Sequence, residues 1–167
     1  DTAGVASCWG RNGSGQLGTG RRVNTSTPTP VATAQRFTTI GVGGNVACAI
    51  AVDRTLWCWG SGIGVLSDAP TQFDARPIWR SVSLSISHGC ALSLTDELEC
   101  WGSNDSGQLG LGFTSSVEPM TRALTSSTVS EVGVGQSFTC ALQRDGVVLC
   151  WGLDAYGSLG NGPAGSS

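Results

Sequence analysis

The chain has 167 residues, 40% of them hydrophobic, enough to build one ordinary domain or part of a larger repeat structure. Only 13% are charged and the formal net charge is -3, so the basic surface that a nucleic-acid partner would require is excluded. The longest uncharged run, Phe37 to Val52, is broken by Gly41, Gly43, Gly44 and Asn45 and falls short of the roughly 20 apolar residues of a membrane-spanning helix.

The chain opens on Asp1-Thr2-Ala3-Gly4, which is no export signal, so any such signal is expected to have been removed or to lie outside this sequence. The tripeptide Cys-Trp-Gly then appears at Cys8 and returns at Cys58, Cys100 and Cys150. The intervals are 50, 42 and 50 residues. A Gly-rich stretch follows it in three good copies, Gly10 to Gly18, Gly102 to Gly110 and Gly152 to Gly160. The copy at Gly60 to Ser67 is shorter and degenerate. Segments 19–30, 67–76 and 111–125 come next and vary most between repeats.

Each repeat continues with apolar–polar alternation over 37–42, 79–84 and 129–134, as half-buried strands do. A second strand is expected near 46–52, 88–94 and 138–143, and a third near 54–60, 97–101 and 146–151. Pro28, Pro30, Pro70, Pro77 and Pro119 mark the linking region, where a fourth strand would be an outer edge, since proline is tolerated there and not in central strands. Four short strands every 42 to 50 residues predict an all-β chain of β-propeller blades, each of four antiparallel strands. The whole of 1–167 reads as one partial propeller, with repeats counted from Cys8, Cys58, Cys100 and Cys150.

Cys48 and Cys58, Cys90 and Cys100, and Cys140 and Cys150 are each ten residues apart. An even spacing fits a three-residue hairpin loop with the two cysteines opposed, and Gly146 can supply the left-handed residue of such a loop. Opposed residues at a non-hydrogen-bonded pair are close enough for a disulfide. Zinc ligands are not usually spaced this way, so three structural disulfides and an oxidising compartment, extracellular or periplasmic, are expected. By the same spacing Cys8 should pair ten residues upstream, before Asp1, which makes the chain about three and a half blades of a longer propeller. Trp9, Trp59, Trp101 and Trp151 adjoin the cysteines, fall on the opposite sheet face, and are expected in the core between blades.

The pattern Trp-Gly-x-Asn-x-x-Gly-Gln-Leu-Gly at Trp9 to Gly18 and Trp101 to Gly110, its looser copy at Trp151 to Gly160, and the Ala-Leu or Ala-Ile after Cys48, Cys90 and Cys140 resemble the repeats of the regulator of chromosome condensation family. The resemblance implies a seven-bladed propeller. Family members include a nucleotide-exchange factor for a small nuclear GTPase, a secreted bacterial β-lactamase inhibitor and ectodomains of plant receptor kinases. The cysteine pairs are similar to those of the extracellular members. A fold of this kind leaves function open.

Other motifs carry little. Gly13 to Gly18 spells G-x-G-x-x-G, yet its sister copies lose the first Gly and no helix is expected after it, so no cofactor is expected. Asn104 to Gly107 lacks the glutamate that a calcium loop needs, so no metal is expected. His88, the sole histidine, stands where the other repeats carry Val46 and Phe138, which marks a packing position and not a catalytic one. Asn12, Asn24 and Asn104 open N-x-S/T acceptors, which matter only in a eukaryote. All nine basic residues are arginine, a composition that points to a GC-rich bacterial genome.

These readings favour a non-catalytic protein-binding scaffold outside the cytoplasm, including an extrinsic subunit of a membrane-associated assembly. The alternative is an enzyme or enzyme-regulating propeller of carbohydrate-active, inhibitor or nucleotide-exchange type. Binding is expected where the repeats differ, with Arg21, Arg22 and Trp57 as candidate contacts, because Trp and Arg are enriched at binding hot spots.

Overall fold

The computed structural model describes residues 3–162. Among them are thirteen strands and no helix. Strands β1 (Ser7–Gly10) and β2 (Thr25–Pro30) pair in a two-stranded sheet. Strands β3 (Phe37–Gly43), β4 (Val46–Ala51), β5 (Leu56–Gly62) and β6 (Val65–Asp74) form an antiparallel meander in that order. So do β7 (Trp79–Leu84), β8 (His88–Ser93), β9 (Leu98–Asn104) and β10 (Ser115–Arg122). Strands β11 (Val129–Val134), β12 (Phe138–Gln143) and β13 (Val148–Gly152) make a three-stranded sheet. These are propeller blades, numbered I to IV here. Counted from its Cys-Trp-Gly, each sequence repeat straddles two of them. The outer strands β2, β6 and β10 carry Pro28, Pro30, Pro70 and Pro119, and much of each repeat-variable segment is this outer strand.

The hairpin between the second and third strands of each blade repeats closely. Arg54, Asp96 and Gly146 each close a three-residue loop in the left-handed region, with φ of 71°, 64° and 87°. Their amides donate to Ala51, Ser93 and Gln143, the turn that sets a three-residue hairpin. That geometry places Cys48 opposite Cys58, Cys90 opposite Cys100 and Cys140 opposite Cys150, with Cα atoms 4.0 to 4.1 Å apart, and all three pairs are disulfides. Arg54 and Asp96 also hold the next blade. The Arg54 carbonyl accepts from the Trp79 amide at 3.1 Å, and the Asp96 carbonyl accepts from Val129 at 3.0 Å. Gly4 does the same for Phe37 at 2.8 Å.

The period of two along each strand divides the two landmarks of the repeat between opposite faces. Cys48 and Cys58 pack toward blade III, among Trp79, Val82, Ala91 and Trp101. Cys90 and Cys100 pack toward blade IV, beside Val129 and Ala141. The tryptophans point the other way. Trp59 lies with Phe37 and Val31 at the boundary of blades I and II. Trp59 and Trp101 are fully buried, and Trp151 is half-buried. Trp9 departs from the expected core position: it is 60% exposed and belongs to none of the buried clusters among the described residues.

The glycine of Cys-Trp-Gly has a steric origin. Gly10, Gly60, Gly102 and Gly152 all have φ between 102° and 111°, closed to other residues. A Cβ on Gly60 or Gly102 would also collide with the carbonyl of Asn45 or Ser87. Blades approach closely along their inner strands: a Cβ on Gly43 would sit 2.5 Å from the Ser85 carbonyl oxygen.

Candidate functional site

The loop after Cys-Trp-Gly is pinned by its own asparagine. In blade I the buried Asn12 side chain accepts from the Leu17 amide and donates to the carbonyls of Arg21 and Val23. Asn104 repeats this with Leu109 and Phe113 in blade III, and Asp154 accepts from Leu159 in blade IV. The run Gly13 to Gly18 is therefore a compact turn leading into strand β2, with hydrogen bonds from the Gly15 amide to the Asn12 carbonyl and from the Gly18 amide to the Gly15 carbonyl. Asn12 and Asn104 are wholly buried, which removes them as glycan acceptors, while Asn24 is exposed.

Arg21 and Arg22 lie exposed beyond this turn. The Arg22 guanidinium meets Asp68 of β6 at 2.9 Å, with both side chains open to solvent, an ion pair of small energetic weight. Trp57 is elsewhere. It pairs in register with Gln72, four residues further along β6 than Asp68, a separation of roughly 13 Å at about 3.3 Å per residue. It packs half-buried against the Phe37–Trp59 cluster, and its indole donates to Thr55 Oγ1 at 2.8 Å. The three candidate contacts thus do not share one loop face: Arg21 and Arg22 adjoin each other, and Trp57 fills a gap between blades I and II.

Charged side chains clasp neighbouring blades. Arg76 reaches Asp74 and Glu99 at 2.6 and 2.7 Å and lies 5.0 Å over the Trp79 ring. Asp96 accepts from Arg80 at 3.0 Å and from Arg144 of the next blade. Those guanidinium groups, Arg144 first, hold the Asp96 carboxyl below its ordinary range. Arg80 also donates to the carbonyls of Val129 and Ser130.

His88 is fully buried between blades III and IV. Its Nε2 is 2.8 Å from Thr139 Oγ1, whose own proton goes to the Gln108 carbonyl at 2.8 Å. Nε2 therefore donates to Thr139, while Nδ1 lies 3.0 Å from Ser85 Oγ, which also donates to the His88 carbonyl at 3.0 Å. Burial pushes its pKa down to about 4. Among the described residues, no three His, Cys, Asp or Glu side chains gather as metal ligands would. No helix there is long and apolar enough to cross a membrane.

Clefts open at each of the three blade boundaries: the one between blades III and IV, about 420 Å³, is walled by Trp151, and the other two bear on the candidate site. The first, of about 510 Å³, is lined by Cys8, Trp9, Leu17, Ile40, Val42 and Val46, between β1 and β3. Cys8 carries the free thiol among the described residues, and burial raises its pKa. The second, of about 370 Å³, runs between the outer strands of blades II and III, with Trp101 in its wall beside Ile63, Phe73 and Met120. The sequence reading passed over this cleft. Its signal was the 42-residue interval, eight short of the others, and the shortfall falls in the degenerate loop after Cys58.

Comparison with known proteins agrees with this architecture. A family model described as regulator of chromosome condensation (RCC1) repeat matches residues 8–50 and 100–142, and a second model of the same description matches 79–108 and 129–158. No curated protein matches the sequence. Among solved structures, yeast RCC1 (Prp20) bound to Kap60 is 22% identical, with a TM-score of 0.81 over 96% of this chain and 42% of its own. Human WBSCR16 is 22% identical, with a TM-score of 0.80 over 96% of this chain and 46% of its own. The ectodomain of the Physcomitrella patens receptor kinase CR4 is 22% identical, with a TM-score of 0.66 over 99% of this chain and 40% of its own. The chain spans less than half the length of each.

Proposed function

Because the chain belongs to the regulator of chromosome condensation repeat family, whose propeller blades it builds, we propose that it is a non-catalytic scaffold that binds another protein outside the cytoplasm. The observation that carries this reading is the disulfide at the centre of each of blades II, III and IV. Disulfides persist in oxidising compartments and are rare in the cytosol. A rigid stack of blades presents its variable loops as a preorganised surface, and recognition concentrates on such loops. Arg21 and Arg22 supply the exposed cationic pair on that surface, with Trp57 contributing separately, from between blades I and II. An extrinsic subunit of a membrane-associated assembly fits the same description.

A second reading has one observation behind it. A solved structure that this chain resembles, Prp20p from Saccharomyces cerevisiae, is described with its binding properties to Gsp1p and histones, so an enzyme-regulating propeller of exchange type is the alternative. The disulfides count against a cytosolic exchange factor. Affinity capture from the native source, followed by Arg21→Ala, Arg22→Ala and Trp57→Ala in the binding assay, separates the readings. An extracytoplasmic partner whose affinity falls by about 1 kcal/mol or more on loss of the arginines supports the scaffold. A GTPase partner whose nucleotide release is accelerated supports the alternative.

A further inference from the structure

The same indole hydrogen bond recurs at two blade boundaries and is missing at the third. Trp59 donates to the carbonyl of Gln16 at 3.0 Å, and Trp151 donates to the carbonyl of Gln108 at 2.9 Å. In both cases the acceptor belongs to the Gln-Leu-Gly turn of the preceding blade. That turn lies tightly on the indole: a Cβ on Gly18 or Gly110 would come within 2.7 Å of the tryptophan nitrogen. Its leucine, Leu17 or Leu109, is buried with it.

Trp101 occupies the equivalent position between blades II and III, and its turn does not exist. Strand β5 passes into β6 through Ile63 and Gly64, both with positive φ, the shape of a two-residue hairpin. The Trp101 indole nitrogen is therefore buried with no hydrogen-bond partner, although the residue is only 2% exposed. A buried donor without an acceptor is rare in a native fold and calls for an explanation. Where the turn would lie, there is the 370 Å³ cleft, with Ile63, Phe73 and Met120 along it. Phe73 stands over the indole, its ring centroid 5.3 Å away. Ile63, a β-branched residue, is held at φ 46°, a conformation that such residues avoid.

We propose that this cleft is a docking site for a short loop of a partner protein, one that presents a backbone carbonyl to Trp101 Nε1 and a leucine-like side chain to Ile63, Phe73 and Met120. The occupant's chemistry follows from the turns that bond the two sister indoles: each supplies one carbonyl and one leucine. Since the indole nitrogen is shielded, entry requires the partly buried side chain of Phe73 or Ile63 to turn aside, an ordinary rotamer change on binding. The cleft is distinct from the Arg21–Arg22 surface, so its failure leaves the scaffold reading standing.

The test uses the whole chain, labelled with 15N, and the peptide acetyl-Ser-Gly-Gln-Leu-Gly-amide, a copy of Ser106 to Gly110. The Trp101 indole resonance is expected to move downfield and saturate at millimolar peptide, while those of Trp59 and Trp151 stay in place. Replacing the leucine of the peptide by serine should weaken binding at least tenfold, and so should Trp101→Phe. A second variant replaces Ile63-Gly64 by the Asp105 to Leu111 sequence, so that the chain fills its own cleft; it should lose peptide binding altogether. An unmoved Trp101 signal overturns the proposal. So does undiminished binding in the filled variant, which carries the test if Trp101→Phe fails to fold.

Discussion

Asp96 and Arg144 join two blades through a hairpin turn: the aspartate closes the loop of blade III at φ 64°, and the arginine of blade IV reaches back to its carboxylate. The same residue thus sets a left-handed backbone conformation and an ion pair. The two roles separate by substitution, because asparagine tolerates the left-handed region and carries no charge.

Asp96→Asn should keep the turn and lose the clasp. The folded-state pKa of Asp96 lies below the unfolded value of about 4, so its contribution is present above about pH 4 and lost as pH falls through the folded pKa. Denaturation midpoints of Asp96→Asn and the unsubstituted protein should differ at neutral pH and converge in acid. High salt should narrow the gap as well. A gap independent of pH would mean that the charge is not what Asp96 contributes.

His88 gives a second pH dependence in a separate window. Its folded pKa is about 4 against an unfolded value of about 6.5. Its contribution is complete above about pH 6.5 and is lost as pH falls toward 4, a change on the order of 3 kcal/mol at most. His88→Val, which copies Val46 of the previous repeat, should flatten stability between those two values. Urea denaturation at half-unit intervals of pH measures it.

Trp59→Phe and Trp101→Phe remove the same atoms from equivalent positions. The first strands the partly buried Gln16 carbonyl, whereas the second removes a donor that has no acceptor. Trp59→Phe should cost more than Trp101→Phe by about 1–2 kcal/mol. Equal losses in chemical denaturation would show that the two indoles are equivalently bonded in solution.

Each disulfide closes a short loop and should stabilise by about 2–3 kcal/mol through its effect on the unfolded chain. Replacing Cys48 and Cys58 together by alanine should lower stability by at least that amount, since the buried sulfurs also pack against Trp79 and Trp101. Peptide mapping without reductant should return the pairs 48–58, 90–100 and 140–150. Links between different hairpins would contradict the register seen here.

What could be read from the residues alone was whatever a single hairpin decides. Spacing by ten set Cys48 against Cys58, because a three-residue turn leaves no other register, and the period of two placed Trp59 on the opposite face from Cys58. What only the tertiary structure decided was contact between blades. Trp9 and Trp101 have the same neighbours in sequence, yet one is exposed and the other buried with an unpaired donor. Arg22 and Trp57 stood together as candidates, and the fold sets them well apart along β6. The physical reason is common to all of these. A side chain's environment in a propeller is built by the next blade, some 42 to 50 residues away in the chain, and a loop shortened in one repeat is felt by the tryptophan of the following one.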